Sequence, residues 1–280
     1  MPKQALAWYA STVTDAADID PGGQERSDRG INLGLQGRVV LVTGGVRGVG
    51  AGISSVFADQ GANVVTCARR PVEGLPFDFH SCDVRDPEAV GGLIEAIVDR
   101  HGQLDVVVNN AGGSPYALAA EASPKFHQKI VELNLLGMLH VSQAANAVMQ
   151  QQPQGGSIVS ISSVSAGRPS PGTAAYSAAK AGVESLTTTL AVEWAPKVRV
   201  NALVVGMVET EQVELFYGDA ESQAAVAATV PLGRLAKPSD IGWAAAFLAS
   251  HAAAYISGAK IAVHGGGEPP AYLSASSANK

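Results

Sequence analysis

The sequence contains little of what several classes of protein require. It has only two cysteines, Cys67 and Cys82, both in apolar runs, which favours buried reduced thiols over a disulfide scaffold. Lysine and arginine number 19 against 25 acidic residues, with no dense basic run, which argues against a nucleic-acid partner. No apolar stretch reaches the roughly 20 residues that span a bilayer, and the first residues lack a signal-peptide layout. These absences predict a cytoplasmic protein with no membrane partner.

Glycine, in contrast, is plentiful, with 31 residues in 280, and suits a fold with many tight turns between strands and helices. Continuous apolar runs alternate with helical segments, and strands of this kind are buried on both faces, as in parallel sheets. The pattern predicts an α/β fold: a doubly wound, mostly parallel seven-stranded sheet with helices on both faces. Predicted strands span 38–43, 62–68, 77–82, 105–109, 156–162, 198–203 and 260–263, and predicted helices span 48–60, 86–101, 123–150, 174–195 and 238–250.

The chain divides into one domain and two flanking segments. Residues 1–36 have little periodicity and are predicted to be an extension, partly disordered or docked through Leu6, Trp8 and Tyr9. The domain is expected to cover 37–270, and 271–280 form a tail.

A glycine-rich turn follows the first predicted strand and leads directly into a helix. Gly44, Gly48 and Gly50 would let a pyrophosphate approach the backbone amides at the helix N-terminus, and Val49 lies between the last two. A lone glycine pattern is weak evidence, but here it begins a strand–helix–strand unit. The turn therefore predicts dinucleotide binding.

The second strand ends in arginine, where an NAD site usually has an acid that binds the ribose 2′-hydroxyl. Arg69 and Arg70 occupy this point, and Arg47 lies inside the glycine turn. Guanidinium groups form strong, often bidentate bonds to phosphate, so NADP(H) is preferred over NAD(H). The competing interpretation is a group of solvated surface arginines.

Tyr176 and Lys180 are spaced to lie on one face of a helix, one turn apart. A nearby ammonium favours the phenolate and is expected to lower the tyrosine pKa from near 10, making an acid–base pair for alcohol and carbonyl interconversion. The spacing alone also fits an exposed pair. Ser163 follows a predicted strand and could hydrogen-bond the substrate oxygen, although strand alternation cannot choose among it and the hydroxyls of Ser160, Ser162 and Ser165.

Together these motifs resemble the short-chain dehydrogenase/reductase family, a Rossmann-fold family, over about residues 36–267. The motifs are Thr43-Gly44-x-x-x-Gly48-x-Gly50, Cys82-Asp83-Val84, Asn109-Asn110-Ala111-Gly112, Asn134, Ser163 and Tyr176-x-x-x-Lys180. The resemblance implies that Ser163 positions the carbonyl, Tyr176 transfers the proton, and Lys180 lowers the tyrosine pKa and holds the nicotinamide ribose. It also implies that Asn134 supports a water leading from Lys180 to solvent.

The resemblance assigns further contacts to the cofactor. Asp83 and Val84 would line the adenine pocket and Asn110 would lie beside the adenosine ribose, while Val208 and Thr210 would hold the carboxamide and phosphate. Val205 stands where the family usually has proline, which leaves the rigidity of that loop open. No metal site is implied.

Substrate choice is expected to depend on a lid at about 207–237 and on the loop 113–116. Met207, Leu215, Phe216 and Tyr217 suggest a hydrophobic carbonyl compound such as a ketone, a 3-oxoacyl thioester or a steroid, although ordinary helix packing explains them equally well. The prediction is an NADP(H)-dependent carbonyl reductase acting on a small molecule, assembled as a homotetramer or homodimer. The alternatives are an NAD-linked hydroxysteroid or alcohol dehydrogenase, a non-catalytic cofactor-binding relative, and an epimerase-type or dehydratase relative.

Overall fold

The computed structural model describes residues 32–72 and 74–276. Seven strands form one sheet in the order β3-β2-β1-β4-β5-β6-β7, and every neighbouring pair runs parallel. The strands are β1 Val39–Thr43, β2 Asn63–Ala68, β3 Asp78–Ser81, β4 Val106–Asn109, β5 Gly156–Ser163, β6 Val198–Val205 and β7 Lys260–Val263. The predicted doubly wound sheet is therefore confirmed, and its parallel strands require crossover connections.

The helices cover both faces of the sheet. They are α1 Gly48–Asp59, α2 Pro87–His101, α3 Pro124–Val131, α4 Gly137–Met149, α5 Ala174–Glu193, α6 Val213–Tyr217, α7 Ala220–Ala228, α8 Pro238–Ala249 and α9 Ala271–Ala275. Because side chains alternate along a strand, β1 contributes Val39 and Leu41 to one buried cluster and Val40 and Val42 to the other. None of the helices in the described ranges combines the length and apolar composition that a bilayer-spanning helix needs.

Three details differ from the sequence-based expectations. The predicted helix 123–150 is interrupted by a π-helical segment, Glu132–Leu136, which separates α3 from α4. Strand β6 extends to Val205, which pairs with Val263 of β7. Leu33 and Leu35, predicted to belong to the extension, are buried among core residues. Leu6, Trp8 and Tyr9 lie outside the described residues. The two cysteines are buried free thiols.

The topology brings the carboxyl ends of β1, β4, β5 and β6 to one edge of the sheet. The chain order reverses between β1 and β4, which is where ligands bind in sheets of this kind. The glycine turn follows β1, Ser163 ends β5, and residues 206–210 follow β6. The predicted cofactor and catalytic residues therefore share one edge.

Candidate active site

The predicted catalytic residues lie on β5, α5 and the π-helical segment. Ser163 is the last residue of β5, and its hydroxyl lies near enough to the Tyr176 phenol, at the start of α5, to lower the pKa of that phenol. One turn later, the Nζ of Lys180 lies 5.5 Å from the centroid of the Tyr176 ring and donates to the Ile161 carbonyl at 2.7 Å. The spacing in the sequence thus does place tyrosine and lysine together, beside the hydroxyl of Ser163.

The structure separates Ser163 from the other candidate hydroxyls. Ser162 is buried and donates to Glu184 Oε1 at 2.9 Å, and Ser160 is buried beside Asn109. Ser165 donates to Ser170 Oγ at 3.2 Å. Among these four serines, Ser163 is the one that the structure joins to Tyr176.

Burial controls the protonation of the tyrosine–lysine pair. Lys180 is 2% exposed, and desolvation lowers its pKa from 10.5 to about 7. Burial raises the pKa of Tyr176, while the nearby Ser163 hydroxyl acts in the opposite direction. In the protein without its cofactor, burial is therefore the largest influence on the tyrosine pKa, and the expected lowering by Lys180 remains a prediction for the cofactor-bound enzyme.

Asn134 is fully buried in the π-helical segment and bonds to backbone on two sides. Its Oδ1 accepts from the Gly113 amide at 2.8 Å, and its Nδ2 donates to the carbonyls of Gly113 and Ile130, each at 2.9 Å. Asn134 therefore fastens the loop after β4 beside Lys180. Single π turns inside helices recur at functional sites, but sequence periodicity did not reveal this one.

The glycine turn has the geometry of an anion cradle. Gly44 and Gly48 have φ of +64° and +52°, and a Cβ on Gly50 would lie 2.2 Å from the Gly44 carbonyl oxygen. The Gly48 amide donates to Glu211 Oε2 at 3.1 Å, so a carboxylate occupies the helix N-terminus where a phosphate is expected. These residues fit a phosphate-bearing cofactor.

Other predicted cofactor residues surround this turn. The Asn110 amide group donates to the carbonyls of Thr43 and Gly44 at 3.0 and 3.2 Å, so it ties the ends of β1 and β4 together. Thr210 lies against Gly48, and Val208 forms a parallel bridge with Ala236. Val49 packs partly buried against the core.

At the other end of the turn, Arg47 and Arg69 are exposed and Val84 is buried. Asp83 accepts from the Arg85 Nε at 2.9 and 3.2 Å and from its Nη2 at 2.5 Å. The bond to Arg85 is the main cause that lowers the pKa of Asp83, and Arg69 adds a smaller effect. Sequence reasoning missed Arg85, although its place two residues after the acid was a usable signal.

The predicted lid contains two short helices, α6 and α7, and its side chains are arranged differently from the expectation. Leu215 and Phe216 are 78% and 59% exposed, so they do not form an apolar inner face here. Tyr217 is half-buried, and burial is the largest effect on its pKa, which it raises. Electrostatic interactions with Arg168, Glu268 and Tyr176 have smaller effects on the same pKa. Tyr217 is thus a lid residue whose phenol interacts electrostatically with Tyr176.

Comparison with known proteins agrees with this geometry. Residues 44–268 match the family described as enoyl-(acyl carrier protein) reductase, a group of short-chain dehydrogenases. The chain is 34% identical over 244 residues to the 3-oxoacyl-[acyl-carrier-protein] reductase FabG of Thermotoga maritima, which covers 83% of this chain and 98% of the relative. It is also 34% identical to 3beta-hydroxysteroid dehydrogenase 1 of Eggerthella lenta, over 83% of this chain and 94% of that protein.

Among solved structures, the ligand-free aldohexose dehydrogenase of Thermoplasma acidophilum superposes with a TM-score of 0.80 at 33% identity, covering 83% of this chain and 94% of its own. The fold and site define a nicotinamide-dependent oxidoreductase acting on CH–OH or carbonyl groups. The chain belongs to the short-chain dehydrogenase/reductase family, as the sequence predicted.

Proposed function

We propose that the protein is an NADPH-dependent carbonyl reductase that converts a ketone to a secondary alcohol, with Tyr176 as general acid. The observation that supports it best is the position of the Lys180 Nζ, 5.5 Å from the centroid of the Tyr176 ring, with the Ser163 hydroxyl near the same phenol. Because burial raises the pKa of Tyr176, the phenol stays protonated near neutral pH. A protonated phenol suits proton donation to a carbonyl oxygen, which is the direction of reduction.

Each residue then has a defined task. Ser163 donates a hydrogen bond to the substrate carbonyl oxygen, Tyr176 gives it a proton, and Lys180 holds the nicotinamide ribose. Asn134 keeps the Gly113 backbone in place beside Lys180. The bound cofactor supplies the hydride, while the protein supplies orientation and charge placement.

The preference for NADPH is supported by exposed Arg47 and Arg69 at the adjoining ends of the glycine turn and β2. A charge-assisted pair with phosphate is worth about 1.5–3 kcal/mol. Arg69→Met is therefore expected to raise KM for NADPH about ten- to a hundredfold and to change KM for NADH little. Steady-state kinetics with both cofactors tests this. Equal or better kcat/KM with NADH in the wild type would contradict the preference.

The proposed substrate class is based on the activities that the relatives' names give. The relatives named above are a 3-oxoacyl reductase, a hydroxysteroid dehydrogenase and an aldohexose dehydrogenase, so 3-oxoacyl thioesters and hydrophobic ketones are the first compounds to test. An NAD-linked hydroxysteroid or alcohol dehydrogenase is the alternative. A non-catalytic relative is disfavoured because both Tyr176 and Lys180 are present and adjacent.

The decisive experiment follows NADPH absorbance with a ketone and 3-oxoacyl panel, using wild type beside Tyr176→Phe. Removing a general acid is expected to lower kcat by about a hundredfold to ten-thousandfold. Tyr255→Phe is the matched control, because Tyr255 is fully exposed. Full activity in Tyr176→Phe would reject the mechanism.

We further propose a homotetramer that works in the cytoplasm. Members of the family are typically oligomeric, and Leu136 and Val192, next to α4 and on α5, are 39% and 79% exposed. Apolar side chains presented in this way suit contacts between copies. Sedimentation equilibrium should give four chains, and a stable monomer would contradict the assembly.

A further inference from the structure

An ion pair joins two loops at the carboxyl edge of the sheet, where the predicted catalytic residues also lie. Arg168 lies on the loop that leads from Ser163 to α5, and Glu268 lies on the segment that follows β7. Arg168 Nη2 and Glu268 Oε1 are 2.9 Å apart. Nothing in the proposed reduction uses either side chain.

The pair spans the end of β6, because β6 lies between β5 and β7 in the sheet. The chain just before Glu268 is anchored at two points: Gly206 donates to the Val263 carbonyl at 3.0 Å, and Leu232 of the lid donates to the Gly265 carbonyl at 3.1 Å. The pair therefore bridges the carboxyl edge where the catalytic residues lie. The ion pair thus connects the loop after Ser163 to the segment that is hydrogen-bonded to Leu232 of the lid.

The Tyr217 phenol interacts electrostatically with both the ion pair and Tyr176. Burial has the largest effect on its pKa and raises it, and Arg168, Glu268 and Tyr176 all act on the same phenol. The ion pair and Tyr176 thus both lie within electrostatic reach of the Tyr217 phenol.

The pair keeps unused hydrogen-bonding capacity. The two side chains are 41% and 31% exposed, and within residues 32–72 and 74–276 their polar atoms have only each other as partners. A guanidinium has five N–H donors and a carboxylate accepts at two oxygens. Donors and an acceptor therefore stand side by side, and their charges cancel.

We propose that Arg168 and Glu268 form a recognition element of the substrate pocket, selecting carbonyl compounds that carry a neutral hydroxyl group away from the reacting carbonyl. This inference rests on the proposed reduction and narrows its substrate class. A hydroxyl can accept from Arg168 and donate to Glu268. A hydrocarbon in its place would desolvate both charged groups and return no hydrogen bond. A free carboxylate would lose hydration beside a pair with no net charge and gain no net attraction in return.

The test compares ketones that differ by one hydroxyl in place of a methyl group. Suitable pairs are 4-hydroxy-2-butanone with 2-pentanone and 4-hydroxycyclohexanone with 4-methylcyclohexanone, each reduced with NADPH. Hydrogen bonds to charged groups predict that wild type favours the hydroxylated member about ten- to a hundredfold in kcat/KM. Arg168→Met should bring this ratio near one by lowering kcat/KM for the hydroxylated ketone only, and Arg168→Lys should restore part of it.

Arg100→Met is the matched control, because Arg100 forms an ion pair of the same 2.9 Å length with Asp78, remote from the site on α2 and β3. It should leave the ratio unchanged. Equal wild-type efficiency for both members, or equal losses for both in Arg168→Met, overturns the inference and leaves the proposed reduction standing. Absence of turnover with every ketone contradicts the proposed function and this inference with it.

Discussion

Replacing Lys180 with methionine should make the cofactor-free protein more stable at acidic and neutral pH, and this gain should vanish as the pH rises. Lys180 is completely buried in the cofactor-free site, where its Nζ donates a hydrogen bond to the Ile161 carbonyl. Its pKa falls from 10.5 to about 7 through desolvation. Below pH 7, folding therefore buries a protonated amine without a counter-charge.

The magnitude follows from linkage between protonation and folding. The difference between 10.5 and about 7, at about 1.36 kcal/mol for each pH unit, is a cost of roughly 5 kcal/mol below pH 7. Between these two pH values the unfolded chain binds a proton that the folded chain lacks, so wild-type stability rises with pH. At pH 9 about 2 kcal/mol of the cost remains.

The substitution also has a cost, since it removes the 2.7 Å bond that Lys180 donates to the Ile161 carbonyl. An unsatisfied buried acceptor costs about 1–3 kcal/mol. Lys180→Met should therefore gain about 2–4 kcal/mol at pH 6 and nearly nothing at pH 9. The same variant should lose activity, so a substitution that stabilises the protein at this residue removes its function.

Urea denaturation of the cofactor-free protein at pH 6, 7.5 and 9 measures this difference. Lys125→Met, which changes an exposed lysine, should give a small and nearly constant difference. The reasoning is refuted if Lys180→Met is less stable than wild type at pH 6, or if its advantage does not change with pH.

Two further predictions concern the glycine turn. Glu211→Gln should tighten NADPH binding about fivefold, as measured by fluorescence titration. The Glu211 carboxylate accepts from the Gly48 amide, and its removal takes away about 1 kcal/mol of repulsion toward the incoming diphosphate. Unchanged affinity would show that the carboxylate does not compete with the cofactor. Gly50→Ala should cost about 1–3 kcal/mol in thermal unfolding and weaken NADPH binding, because its Cβ would meet the Gly44 carbonyl at 2.2 Å. The matched change Gly91→Ala, on α2 with open space around it, should instead stabilise by about 0.5–1 kcal/mol, and equal effects at the two sites would contradict the close-approach argument.

Part of the site could be read along the chain because its signals are local. The Tyr176–Lys180 spacing is one helical turn, and the glycines proposed to bind phosphate lie between a strand and the helix that follows it. Neither inference needs residues that are distant in sequence.

Other features depend on contacts between distant segments. Ser160, Ser162, Ser163 and Ser165 are equivalent in sequence, and only their neighbours in the fold distinguish them. The inward turn of Tyr217, in place of Leu215 and Phe216, depends on how the lid packs.

By itself, the sequence determined the parallel sheet, the glycine turn between β1 and α1 and the pairing of Tyr176 with Lys180, because periodicity and spacing act over a few residues. Only the tertiary structure decided the direction of the Tyr176 pKa, since desolvation depends on everything packed around the phenol. It also brought Arg168 to Glu268, which lie on loops that only the order of β5, β6 and β7 makes neighbours.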